Sequence, residues 1–117
     1  EILLLGSTCD VIGIDEAQFF DDGIVEVANQ LANNGVRVVI AGLDMDFLGR
    51  PFGPMPFLMA TAEYVTKVHA ICKKTGNLAN YLMRISQNQD LVQLGETDSY
   101  EAVSRRVFVD DVLNKKE

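Results

Sequence analysis

Short apolar runs alternate with amphipathic stretches over the first seventy or so residues of the chain. Val11-Ile12-Gly13-Ile14 is apolar or small at every position and runs straight into Asp15-Glu16. A continuous run of this kind predicts a strand buried on both faces. Before it, Glu1 to Leu5, stopped at Gly6, reads as the tail of a helix. After Phe19-Phe20, Asp21-Asp22-Gly23 supplies a turn with a capping acid. Ile24, Val27, Ala28 and Leu31 then recur at i, i+3, i+4 and i+7, the stripe of an amphipathic helix. Asn34-Gly35 closes that helix, with Gly35 suited to the left-handed position beyond its end. Val36 to Gly42 is a second apolar run. Strand, helix and strand in this order predict a crossover unit with parallel strands.

The pattern then changes. Leu43 to Pro56 is rich in Gly and Pro and reads as an irregular loop, although it carries Phe47 and Phe52. Phe57 to Tyr64 predicts a short helix and Val65 to Ile71 a strand. Cys72 to Asn77 is a polar turn, Ala79 to Ile85 the return strand of a hairpin, Ser86 to Asp90 a loop, and Leu91 to Gly95 another short strand. Asp98-Ser99-Tyr100-Glu101 has the form of a capping box. It predicts a last helix running to about Leu113, with Tyr100, Val103, Val107 and Phe108 on one face and Lys115-Lys116 favouring its end. Phe19, Phe20 and Phe57 are expected in the core, and Met45, Met55 and Met59 as gap fillers. The fold class is α/β: part of a parallel sheet with flanking helices over residues 1–71, then a small hairpin-and-helix domain over 72–117.

Composition narrows the possible functions. Of 117 residues, 48% are hydrophobic and 23% charged, which excludes a disordered chain. The net charge of −7 argues against a nucleic-acid surface, which needs clustered Lys and Arg. Small phosphorylated ligands stay open to it, because metal and backbone N–H groups can hold them. No apolar run approaches the ~20 residues of a membrane span, so no membrane partner is expected. Two distant cysteines, Cys9 and Cys72, give no disulfide framework, and the expected setting is cytoplasmic and reducing. The chain opens on Glu1 rather than Met, without a basic leader, and its first residue is not expected to be a natural start.

Adjacent acids at the C-terminal end of a buried strand lie where open α/β sheets place their ligands. That is the look of a Walker B strand in a P-loop phosphotransferase, where the first acid helps hold Mg²⁺ and a neighbour orients or deprotonates the nucleophile. The same letters also end ordinary strands whose acid caps the next helix. Asp44 and Asp46 read as loop caps, Lys73-Lys74 and Arg105-Arg106 as solvated, and His69 as an ordinary strand residue. Arg50 lies in a loop from which it can reach a phosphate.

Several separate motifs, in order and in spacing, resemble the thymidine kinase family of the bacterial and cytosolic type. They are Val11 to Phe20, Val39 to Asp44 followed by Phe47, Arg50-Pro51-Phe52-Gly53, and Gly95 followed by Tyr100-Glu101. The resemblance implies a P-loop NTPase-like domain and a small lid, of which this chain looks like the C-terminal part. It implies transfer of the ATP γ-phosphoryl group to the 5′-hydroxyl of thymidine. By the same resemblance, Asp15 would help hold Mg²⁺ and Glu16 would be the general base. Asp15, Glu16, Ala17 and Gln18 would lie along the ATP phosphates. Phe47 would pack on the thymine ring, Leu91, Val92, Gln93, Leu94 and Gly95 would grip the base through backbone groups, and Tyr100 would contact the nucleoside. A homotetramer and inhibition by dTTP are also implied.

The chain departs from that family pattern twice. It contains no Gly-x-x-x-x-Gly-Lys-Ser/Thr phosphate loop, so negligible kinase activity is expected from these residues alone. The alternative is a non-catalytic thymidine- or dTTP-binding remnant, or half of a split kinase. The family's structural zinc is held by two Cys-x-x-Cys or Cys-x-x-His pairs, and here those positions read Cys72, Thr75, Ser104 and Val107. One thiol in four does not make a zinc site. No zinc is expected, and the small domain should rely on Ile85, Val103, Val107 and Phe108.

Overall fold

The computed structural model describes residues 2–85 and 100–114. The chain is mixed α/β, built from two-stranded sheets and short helices, and divides into two units. The first comprises Glu1–Asp44 and Pro51–Val65; the second comprises Met45–Arg50 and Thr66–Glu117.

In the first unit, β1 (Val11–Ile14) pairs in parallel with β2 (Arg37–Ile40), Ile14 opposite Ile40. A short helix α1 (Ile2–Gly6) precedes them, and α2 (Gly23–Asn33) makes the crossover. The stripe read from the sequence is the face that packs: Ile24, Ala28 and Leu31 are buried. The helix ends as expected, with Gly35 at φ +92° and its N–H donating to the Ala32 carbonyl. Helix α3 (Met55–Thr61) starts two residues before the expected Phe57, because Pro54 precedes it and Pro56 fits its first turn. Ile14, Ala17, Ile24, Ala28, Met55 and Leu58 form the core.

Two expectations fail here. β1 is not buried on both faces: within it only Ile14 is buried, and Val11 is 56% exposed. Phe19, Phe20 and Phe57 are exposed rather than core, Phe19 at 71%. The reason is shared, because among the described residues the parallel sheet has two strands, too few to cover both faces.

In the second unit, β3 (Ala70–Ile71) and β4 (Leu78–Ala79) form an antiparallel hairpin around the Cys72–Asn77 turn. The return strand expected over Ala79 to Ile85 breaks at Asn80. Its second part, β5 (Tyr81–Arg84), pairs instead with β6 (Tyr100–Val103). Residues 65–69 lie outside β3, so the Val65 to Ile71 strand shortens to two residues, and Val68 and His69 are exposed. The last helix is corrected too. Tyr100 to Val103 are strand, and α4 begins at Arg105, running to Phe108 and on through a wider turn to Leu113. Tyr and Val favour a pleated, half-buried surface, and the β5 partner decides the conformation. Asp98 of the supposed capping box, the Leu91 to Gly95 strand and Lys115-Lys116 lie outside the described residues. Cys72, Ala79, Met83, Val103, Val107 and Phe108 make this unit's core. Val103, Val107 and Phe108 thus serve as expected, whereas Ile85 is exposed. Among the described residues no helix is long and apolar enough to cross a membrane.

Candidate functional site

The acid pair stands where β1 ends. Asp15 leaves the strand and one of its carboxylate oxygens accepts the Glu16 N–H at 2.8 Å. Glu16 takes the left-handed conformation, φ 52° and ψ 43°, the one described non-glycine residue with positive φ. That conformation costs a side-chain-bearing residue about 1 kcal/mol or more. The surroundings hold it there. Ala17, fully buried, donates its N–H to the Ala41 carbonyl at 3.0 Å, and Ala41 donates to Ile14 at 2.9 Å, tying the turn to the end of β2.

Gln18 fixes the Glu16 side chain. Its amide nitrogen donates to a Glu16 carboxylate oxygen at 2.8 Å, and its amide oxygen accepts the Leu43 N–H at 2.9 Å. The side chain is only 3% exposed. Two glycines make room for it. A Cβ on Gly42 would stand 2.9 Å from the Gln18 amide oxygen and 2.8 Å from the Met55 sulfur. A Cβ on Gly53, at φ +54°, would strike the Gln18 backbone carbonyl oxygen. Asp15 and Glu16 are therefore exposed acids on a braced turn. Gln18, expected beside the phosphates, is buried and braces the turn, one amide N–H donating to Glu16 and its oxygen accepting from Leu43.

In the second unit the loop Met45–Arg50 carries Phe47. Asp46 caps this loop, accepting the N–H groups of Leu48 at 2.9 Å and Arg50 at 3.0 Å. The half-buried Phe47 ring lies 6.1 Å from Tyr100, tilted by 36°, and the Arg84 guanidinium sits 5.0 Å from its centroid. The two predicted base-contacting aromatics are thus brought together. Leu91, Val92, Gln93, Leu94 and Gly95 lie outside the described residues.

Arg84 is a member of this group that sequence reasoning missed. It sits on β5, and its nearness to Phe47 follows from strand pairing with no local signal. A groove of about 500 Å³ in the same unit was also missed; Lys67, Asn77, Asn80, Arg105 and Arg106 line it. The Arg105-Arg106 pair was its visible trace, read as solvated.

The four positions read as a degenerate zinc set also converge. The Thr75 hydroxyl donates to the Ser104 oxygen at 3.3 Å, and Cys72 and Val107 share the buried core. The Thr75 side chain beside it lowers the Cys72 thiol from its ordinary 9.0 to about 6. Burial pulls the other way, while hydrogen bonds with Ser104 and the local backbone add to the lowering. Structural zinc takes four nitrogen or sulfur donors, and one thiol, two hydroxyls and a valine do not fit it.

The family signature described as thymidine kinase matches residues 3–108. A thymidine kinase of Bacteroides thetaiotaomicron is 60% identical over 108 residues, which cover 92% of this chain and 54% of that protein. Thymidine kinases of Porphyromonas gingivalis and of a Rhodothermus species are 61% and 55% identical, again over 92% of this chain and 52% and 51% of theirs. The chain spans about half the length of the curated relatives it matches.

Proposed function

The chain belongs to the thymidine kinase family, and on that premise we propose that it carries the acid pair and base-facing loop of an enzyme moving the ATP γ-phosphoryl group to the 5′-hydroxyl of thymidine. Phosphoryl transfer asks for positioning and charge neutralisation more than for covalent chemistry. Glu16 takes the hydroxyl proton as that oxygen attacks the γ-phosphorus, and the bond to the β–γ bridging oxygen breaks. Gln18 aims the Glu16 carboxylate, and the braced turn keeps it from collapsing into solvent. Asp15 suits Mg²⁺: it is an exposed carboxylate at a strand end, and Mg²⁺ is usually held by one or two carboxylates plus substrate phosphates. When bound, the ion neutralises charge on the phosphoryl oxygens. Ala17 lends its small size to the same turn. Phe47 offers a flat wall for thymine, with Tyr100 and Arg84 setting its tilt, and backbone groups of Leu91 to Gly95 complete the grip.

The wider features of this reading rest on the family. They are a P-loop-like parallel sheet, a lid, a cytoplasmic homotetramer and inhibition by dTTP.

The observation that carries the proposal is the Glu16 carboxylate held at 2.8 Å by a buried amide. In the full-length gene product, Glu16→Gln is expected to lower turnover by roughly 10²–10⁴-fold, the usual worth of a general base, with thymidine affinity little changed. Retained turnover would remove Glu16 from that role. One observation favours the binding-only alternative: these 117 residues contain no phosphate loop. Assayed alone, they are expected to give no dTMP. Competition of thymidine against other nucleosides then tells a retained base pocket from none.

A further inference from the structure

The positions at which the family pattern has zinc ligands are not a gap in this chain. We propose that Cys72, Thr75, Ser104 and Val107 form a metal-free clasp, in which a hydroxyl–hydroxyl hydrogen bond and the apolar packing of Cys72 with Val107 close the second unit in place of zinc. The inference concerns this unit's own construction, and metal content reads it independently of kinase turnover.

A tight turn stands where the family pattern has its first ligand pair. Within Cys72-Lys73-Lys74-Thr75-Gly76 the chain turns back on itself. The Gly76 N–H donates to the Cys72 carbonyl at 2.8 Å, the Cys72 N–H donates to the Asn77 carbonyl at 2.8 Å, and Gly76 takes φ +80°. This turn also fixes the Thr75 hydroxyl, whose oxygen accepts the Asn77 N–H at 3.2 Å. The second pair starts at Ser104, which precedes α4 with extended φ −77° and ψ 167°. Serine there would ordinarily cap the helix, yet Ser104 makes no side-chain cap bond. Its hydroxyl, 4% exposed, is taken by Thr75 across 29 residues of sequence.

The contacts support the substitution. The Thr75 and Ser104 oxygens stand 3.3 Å apart, within hydrogen-bonding distance. Val107 supplies bulk in the fourth place and packs in the same core as the fully buried Cys72. Lys74 and Asp111 add an ion pair at 3.5 Å between the same two segments. Among the described residues, no cluster of three or more His, Cys, Asp and Glu side chains offers a metal another place.

The test uses the full-length protein. Elemental analysis of the purified protein is expected to find no stoichiometric zinc, and a chelator should leave its melting temperature unchanged. One zinc per chain would overturn the proposal. Thr75→Val and Ser104→Ala each remove the hydroxyl bond and should lower the melting temperature by about 2–4 °C in a protein of the full-length relatives' size. Unchanged melting in both would equally overturn it. The triple variant Thr75→Cys/Ser104→Cys/Val107→Cys restores four thiols at the converged positions. It is expected to bind one Co²⁺ with the thiolate-to-metal absorption of a tetrahedral site, while the parent shows none. A folded triple variant that stays spectroscopically silent would refute the convergence. The metal content and the single variants decide the matter even if the triple variant fails to fold.

Discussion

Glu16 is held in a conformation it does not favour, and the surroundings supply the constraint. A left-handed glutamate costs about 1 kcal/mol or more, and such strain belongs where a carboxylate must point in one direction. Glu16→Gly is therefore expected to abolish turnover in the full-length protein while destabilising it less than Glu16→Ala. Both variants strand the buried Gln18 amide donor, at about 1–3 kcal/mol, but only glycine relieves the left-handed backbone. Equal melting temperatures for the two would mean that the turn stores no strain. Gln18 acts in the opposite sense. Gln18→Leu keeps the volume but strands the Leu43 N–H, at a cost of about 1–3 kcal/mol, and frees the Glu16 carboxylate. Turnover should fall with little change in thymidine affinity, because the residue positions the base and does not hold the nucleoside. A change in affinity alone would instead place Gln18 among the nucleoside contacts. The acids of this turn were legible in the sequence, since apolar residues running into Asp-Glu is a local pattern. The role of Gln18 was not, because its partner Leu43 lies 25 residues away and only folding brings the two strand ends together.

Among the elements, those that follow from local pattern came out as read. The α2 stripe, the Gly35 closure and the parallel pairing of β1 with β2 need only periodicity, a left-handed glycine and a crossover of adequate length. The elements that failed depend on partners distant in sequence. Tyr100-Glu101-Ala102-Val103 has helix-compatible spacing, but Leu82 and Met83 stand opposite Ala102 and Glu101 and make it a strand. That correction predicts a measurement. If Glu101 closed a capping box, removing it would cost about 1 kcal/mol. As a half-buried strand residue opposite Met83, Glu101→Ala should change stability by less than about 0.5 kcal/mol. Equilibrium denaturation at that precision separates the two. A full capping loss would return residues 98–101 to the helix.

Charge divides the molecule more sharply than the net value of −7 conveys. The first unit carries one cation, Arg37, against nine acids; the second carries nine cations against eight acids. Composition alone does not show this division, because it depends on which segments fold together. The first unit holds the acid pair and, within these residues, almost nothing to attract a triphosphate. On the proposed phosphoryl-transfer reading, the positive charge would come from Mg²⁺, from the second unit's cations or from groups outside these 117 residues. The same imbalance loads the folded first unit with self-repulsion that an expanded chain relieves. Raising ionic strength from about 0.01 M to about 0.1 M shortens the Debye length from about 30 Å to about 10 Å. The melting temperature of the chain is therefore expected to rise with added NaCl over that range. Arg37→Glu, which removes the one cation of the unit from an exposed strand position, should lower the melting temperature at low salt and steepen the rise. A melting temperature indifferent to salt in both proteins would mean that the acids are too well hydrated to repel one another. The first unit's negative charge would then bear on its ligands and not on its stability.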